Sequence, residues 1–284
     1  MKIVECPRDA MQGLHDFVPT ELKAKYINQL LEVGFDTIDF GSFVSPKAIP
    51  QLKDTAEVLT KLDLSKTKSK LLAIVANTRG ATDAEKFEEI TYLGFPLSLS
   101  ETFQQKNTNK SIEDAFTTVA EIQEVCQRSG KKMVTYLSMG FGNPYGDPYE
   151  AAYLTEFVEK LLKMEIGIIS LADTVGVADE GTISSSFETL IEAFPEVEFG
   201  AHLHANPKDA ASRVKAAFDA GCRRFDGAVN GYGGCPMADD VLVGNIATES
   251  IVAHAETTVS GFSIDKEAFT TAMKTAGELF GTYH

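Results

Sequence analysis

Short apolar runs alternate with amphipathic stretches along almost the whole chain of 284 residues. The runs that read as strands cover residues 3–6, 37–41, 71–75, 97–100, 133–138, 167–171, 197–204 and 224–229. Between them lie stretches with helical spacing of apolar positions, at 20–33, 46–62, 81–93, 112–129, 149–164, 181–194, 207–220 and 240–255. The 20–33 segment shows the pattern well: Leu22, Tyr26, Ile27, Leu30 and Leu31 recur at helical intervals, and Gly34 supplies the stop. Strands alternating with helices in this way predict parallel pairing, because parallel neighbours need a crossover helix between them. Eight such units can close on themselves, so the expected architecture is a (β/α)8 TIM barrel, with a further C-terminal helix over 264–283. The rival, a doubly wound open sheet, lacks the Gly-x-Gly-x-x-Gly turn after its first strand. No linker or low-complexity tract divides the chain, so 1–284 is expected to be one barrel domain, the barrel itself ending near 255.

Charge narrows the functional classes. Against 41 Asp plus Glu stand 26 Lys plus Arg, a formal charge of −15, and no run of basic residues exceeds two. A polyanion ligand needs a basic footprint that releases counterions, so nucleic acid is excluded as a partner, and an anionic membrane surface with it. No apolar stretch approaches a membrane span and no secretory leader is recognisable. Four cysteines, Cys6, Cys126, Cys222 and Cys235, form no Cys-x-x-Cys pair, which suits reduced thiols and a cytoplasmic location.

In a barrel of this kind chemistry sits at the C-terminal strand ends, and polar residues collect there from several strands. Arg8 and Asp9 with Gln12 follow strand 1, Asp39 lies on strand 2, and Ser138 ends strand 5. Asp173 and Thr174 close strand 6, His202 and His204 close strand 7, and Asn230 and Cys235 follow strand 8. His202 and His204 flank one residue, and alternate residues of a strand face the same side, so both imidazoles can reach one cation. Asp9 and the amide oxygen of Asn245 would complete a mixed nitrogen and oxygen set, of the kind that suits Mg²⁺ or Mn²⁺. The glycine-rich segment 231–236 places Cys235 on a turn over the mouth, where a thiol could act as nucleophile or as proton donor to a carbanion.

Taken jointly these motifs resemble the 3-hydroxy-3-methylglutaryl-CoA lyases of the DRE-TIM metallolyase superfamily. The resemblance runs from Ile3 to about Ala255 and rests on Pro7-Arg8-Asp9 with Gln12, residues 42–47, residues 100–103, residues 170–177, His202-Leu203-His204, Gly233-Gly234-Cys235-Pro236 and residues 244–249. It implies a divalent cation, Mg²⁺ or Mn²⁺, held by Asp9, His202, His204 and Asn245. It further implies an acyl-CoA thioester substrate whose charge Arg8 would stabilise, and Gln12, Ser138, Thr174 and Asn230 would contact that substrate. A hydroxyl proton would be taken by the Asp39, Asp173 and His202 group, and Cys235 would protonate the leaving acetyl-CoA enolate. Alternatives are a sister lyase or aldolase acting on a related 3-hydroxy acid or acyl-CoA, and a catalytically silent barrel that binds acyl-CoA. Several positions depart from the family pattern: Ala10 follows Asp9 where glycine is common, Asp39 stands where the lyases carry Glu, and Ala205 follows His204 where Asp is typical. The final helix has two places to go, the barrel base or a homodimer interface.

Overall fold

The computed structural model of the protein describes residues 1–234 and 243–283. Eight parallel strands close in sequence order into a barrel, and β8 returns to pair with β1 from Lys2↔Arg224 to Glu5↔Gly227. The strands are β1 Lys2–Glu5, β2 Thr37–Ser42, β3 Lys70–Ile74, β4 Ile90–Ser98, β5 Lys132–Ser138, β6 Ile168–Asp173, β7 Glu198–Leu203 and β8 Arg224–Gly227. Among the described residues the helices are α1 Pro7–Gln12, α2 Thr20–Val33, α3 Thr55–Leu59, α4 Thr78–Glu85, α5 Glu101–Thr108, α6 Ile112–Ser129, α7 Ala151–Lys163, α8 Glu180–Ala193, α9 Ala210–Asp219, α10 Thr248–Thr258 and α11 Lys266–Thr282. None of them is long and apolar enough to cross a membrane.

Two stretches differ from the pattern in the sequence, each for a local reason. The helix expected over 46–62 is broken into a 3₁₀ turn, Pro50–Leu52, and the short α3. Pro50 has no N–H to donate and holds Ile49 out of the helical region, at φ −129° and ψ 81°. The helix expected over 81–93 stops at Glu85, and the apolar residues after it belong to β4. Ile90, Tyr92, Leu93 and Gly94 pair with β3, and Tyr92 through Ser98 pair with β5 without interruption, so two flanking strands override the local helical phase. The part of the expected 240–255 helix that precedes residue 243 lies outside the described residues, and α10 begins at Thr248.

The larger apolar core fills the space between strands and helices, while Leu72, Ile74, Tyr92, Val134 and Tyr136 form a smaller cluster of their own. Helix α11 lies along α2: Phe280 meets Tyr26 edge-on at 6.4 Å, Phe269 meets Phe35 at 5.8 Å, and Asp265 N–H donates to Val33 O. Phe280 also stacks on Tyr232, in the segment that follows β8, so this helix braces the mouth loop from the barrel flank.

Glu5, at the end of β1, is fully buried and accepts from Val229 N–H at 2.9 Å and Thr248 Oγ1 at 2.5 Å. Burial lifts its carboxyl from 4.5 to about 8, although both hydrogen bonds pull the other way. A raised acid favours the folded state while it holds its proton, so stability is expected to fall as pH rises from 4.5 towards about 8. Glu5→Gln keeps one acceptor and gains one donor in the same shape. It should flatten this slope and raise the melting temperature at alkaline pH, by an amount on the order of a few kcal/mol in stability. Parallel thermal denaturation curves of the two proteins between acid and alkaline pH would refute the assignment.

Candidate active site

Pro7 opens α1 directly after β1, which turns Arg8 and Asp9 across the C-terminal mouth of the barrel. Arg8 is buried and uses all of its fork. Its Nε and Nη2 reach Asp39 Oδ2 at 3.0 and 2.6 Å, while Nη1 donates to Asp9 Oδ1 and Gln12 Oε1, both at 2.9 Å. Gln12 Nε2 donates to Asp9 Oδ1 at 2.7 Å, closing a ring of three side chains. Burial works against the guanidinium's charge, but Asp39 and Asp9 outweigh it and raise its pKa, so Arg8 stays cationic. Burial also opposes ionisation of Asp9, yet Arg8 and the two imidazoles hold its carboxyl down at about 2. Asp39 goes the opposite way, lifted by burial to about 6 against the pull of Arg8.

His202 and His204 stand side by side at the end of β7, with ring centroids 5.3 Å apart. His202 Nδ1 faces Asp226 Oδ2 at 3.2 Å, a contact between β7 and β8 positions that share a register. Burial lowers the pKa of His202, but Asp226 overrides it and the net shift is upward. Neither ring nitrogen of His204 has a hydrogen-bond partner among the described residues, although the side chain is almost wholly buried. Burial and the neighbouring His202 push its pKa down to about 4, so the ring is neutral at physiological pH.

These observations fit a divalent cation. Asp9, His202 and His204 each offer a ligand atom, and the three atoms lie within 4.8 Å of one another. An ionised carboxylate and a neutral imidazole are in the protonation states that a metal requires, and two orphaned buried nitrogens ask for a partner. Asn245 is held nearby because residues 244–246 run against the end of β7: Ala205 N–H donates to Gly244 O and Ile246 N–H to Leu203 O. Its Nδ2 donates to Asp9 Oδ2 at 2.7 Å and Tyr232 O at 2.9 Å, so the amide nitrogen, and not its oxygen, faces Asp9 in this structure.

Arg8, Asp9, Gln12, Ser138, Thr174, His202 and His204 all line one cavity of ≈ 210 Å³ at the barrel mouth. Thr174 also accepts from Met139 N–H at 3.0 Å, which ties the end of β6 to the end of β5. Two expected members are not brought in. Asp173 turns towards α9: its carboxylate accepts from Val177 N–H, Ala178 N–H and Arg213 Nη1. It lies on the opposite side of β6 from Ala172 and Thr174, both of which line the cavity. Asn230 is exposed and donates to Met273 O on α11. Cys235 lies outside the described residues. The turn leading to it is pressed onto the site, since a side chain on Gly233 would come within 3.0 Å of Asp9 O and 2.8 Å of Asn245 Nδ2.

The sequence reading missed Asp226, which supplies His202 with the carboxylate that Ala205 does not give His204. Its signal was present: Arg224 and Asp226 occupy alternate positions of one strand, which puts two charges on one side of it. It also missed Tyr136 in the cavity wall, edge-on to His202 at 5.5 Å, and Arg213, which bonds His204 O at 2.7 Å. The 143–147 loop is anchored by Asp147, which accepts from Ser100 Oγ, Thr102 N–H and Thr102 Oγ1 at the start of α5.

A family model described as HMGL-like matches residues 2–276. The chain belongs to this family. Within it, hydroxymethylglutaryl-CoA lyase YngG of Bacillus subtilis is 32% identical over 275 residues, 97% of this chain and 91% of the relative. The mitochondrial hydroxymethylglutaryl-CoA lyase of Bos taurus is 33% identical over 255 residues, 89% of this chain and 77% of the relative. Among solved structures, an HMG-CoA lyase from Acinetobacter baumannii in complex with coenzyme A and 3-methylmalate superposes with a TM-score of 0.91 at 33% identity, covering 99% of this chain and 91% of that one. The HMG-CoA lyase of Bacillus subtilis gives the same TM-score at 32% identity, over 99% and 93% of the two chains. This member of the HMGL-like family is a carbon–carbon lyase.

Proposed function

We propose that the protein cleaves 3-hydroxy-3-methylglutaryl-CoA to acetoacetate and acetyl-CoA with a divalent cation, Mg²⁺ or Mn²⁺, at Asp9, His202 and His204. The observation that carries this reading is the meeting of these three donors with the Arg8 fork on one cavity, in a chain that matches curated lyases of that name over nearly its whole length. Asn245 joins the donor set if its amide turns its oxygen inward. When bound, the cation supplies Lewis acidity and a template for neighbouring substrate oxygens.

The remaining chemistry falls to the chain. Arg8, fixed on Asp39 and Asp9, presents a permanent positive charge where negative charge develops on the substrate oxygens. Ser138, Thr174 and Gln12 line the wall that orients the substrate. Of the Asp39, Asp173 and His202 group, Asp39 takes the hydroxyl proton, because Asp173 is turned to α9 and the one lone pair of His202 is committed to the cation. Asp226 beside Nδ1 fixes the tautomer of His202 that leaves Nε2 for the cation, and Asp39, lifted by burial to about 6, can change protonation state close to working pH. Scission of the carbon–carbon bond leaves an enolate, which Cys235 protonates.

The test measures acetyl-CoA release from this thioester with and without added Mg²⁺. Turnover that depends on the cation is expected, and Cys235→Ala should retain the cation while losing about 10²–10⁴ in kcat, the range of a general acid. A protein that retains a cation yet releases no acetyl-CoA would transfer the site to a different 3-hydroxyacyl-CoA. Undiminished activity in Cys235→Ala would remove the thiol from the mechanism.

A further inference from the structure

His202 belongs to a second group as well. Cys6, His202 and Asp226 each bring a ligand atom within 4.8 Å of the other two. Cys6 is 1% exposed and Asp226 3% exposed. Three points so spaced have a common centre no more than about 2.8 Å away, so bonds of about 2.0–2.3 Å need side-chain shifts of less than an ångström. The parts are otherwise underused. The Cys6 thiol has one weak contact, to Val4 O at 3.7 Å, and Asp226 Oδ1 is buried without a hydrogen-bond partner among the described residues. Burial weighs most on Cys6 and opposes its thiolate, while the buried Asp226, Asp39 and Asp9 beside it bring the negative charge that a cation would meet. Of the nearby guanidinium groups, Arg8 is held by Asp39 and Asp9, while the fully buried Arg224, two positions from Asp226, bonds Glu198 through Nη1 at 3.3 Å and leaves Nε and Nη2 without a hydrogen-bond partner among the described residues.

We propose that Cys6, His202 and Asp226 form a second cation site, selective for thiophilic divalent ions such as Zn²⁺ or Cd²⁺, whose occupation competes with the cation at Asp9 and His204. The ligand types set the selectivity. A thiolate is soft, whereas the first site offers only carboxylate and imidazole. On binding, the Cys6 thiol gives its proton to solvent and its sulfur lone pair to the ion. Competition follows from the shared ring: a neutral imidazole has a single lone pair on one nitrogen, so His202 serves one ion at a time. Nδ1 is the nitrogen next to Asp226, and its use by the second site withdraws Nε2 from the first.

Co²⁺ spectroscopy tests the site without relying on the proposed substrate. In Cys235→Ala protein, which removes the loop thiol, Co²⁺ is expected to give a thiolate-to-cobalt charge-transfer band in the near ultraviolet. Adding Cys6→Ser, or Cys6→Ala should the serine variant not fold, should abolish that band and leave the visible d–d bands of the first site. With the wild-type enzyme turning over in Mg²⁺, Zn²⁺ should inhibit, and Cys6→Ser should need at least about 10-fold more Zn²⁺ for the same effect, the scale of losing a group that supports a metal. No charge-transfer band in Cys235→Ala overturns the site with no change at Cys6, and so does a band that survives loss of the thiol. Equal Zn²⁺ sensitivity in both proteins overturns the competition. A failure to cleave 3-hydroxy-3-methylglutaryl-CoA would leave the spectroscopic result standing.

Discussion

Arg8→Lys is expected to lower kcat by about 10²–10³, the cost of removing one preorganised donor from developing charge, while leaving cation content intact. The substitution keeps the charge but not the shape. Arg8 reaches Asp39 through two nitrogens on one side and Asp9 with Gln12 through a third on the other. A lysine ammonium is a single point on a flexible stem and cannot span both. It would leave Asp39 or Asp9 short of a partner, and a buried carboxylate without its partner costs up to about 3–5 kcal/mol of stability. KM should change less than kcat, since the lost contact acts mainly where charge builds. Purified Arg8→Lys with its cation bound and kcat unchanged would remove the guanidinium from the chemistry.

The second large effect is expected at Asp9→Asn. The carboxylate sits among groups that all demand an acceptor: Oδ1 takes hydrogen bonds from Arg8 and Gln12, and Oδ2 takes one from Asn245. An amide of the same shape must turn its NH2 towards one of these donors, a clash that costs about 1–3 kcal/mol. It also removes the hard anionic donor facing the two imidazoles. Cation affinity should fall by more than the roughly 10–100-fold typical of losing an outer supporting group, and turnover should fall with it. Metal analysis after dialysis is the measurement, and a full complement of cation in Asp9→Asn would take this residue off the donor set.

How far could the sequence carry these conclusions? The alternation of strand and helix signals was enough for the barrel, because parallel strands leave few other closed arrangements for eight such units. Period-two spacing was enough to bring His202 and His204 to one face. The same rule, applied to β6, would have turned Asp173 away, since Ala172 and Thr174 on either side of it line the cavity. The start of β4 was not legible. Ile90 and Leu93 continue the helical phase of the preceding segment, and only β3 and β5 beside them made the strand.

By itself, then, the sequence determined most of the elements, their parallel order and the face shared by His202 and His204, since these depend on residue types within a few positions of one another. The tertiary structure alone decided which groups act on which. Asp226 backs His202, Arg8 bridges Asp39 and Asp9, Asn245 turns its amide nitrogen to Asp9, and Cys6 comes beside His202. Apart from the bond between Arg8 and Asp9, neighbours in α1, each of these contacts joins elements far apart in the chain or across neighbouring strands. Strand register and barrel closure set such distances, and the shifted acidities of Asp9, Asp39 and His204 follow from them.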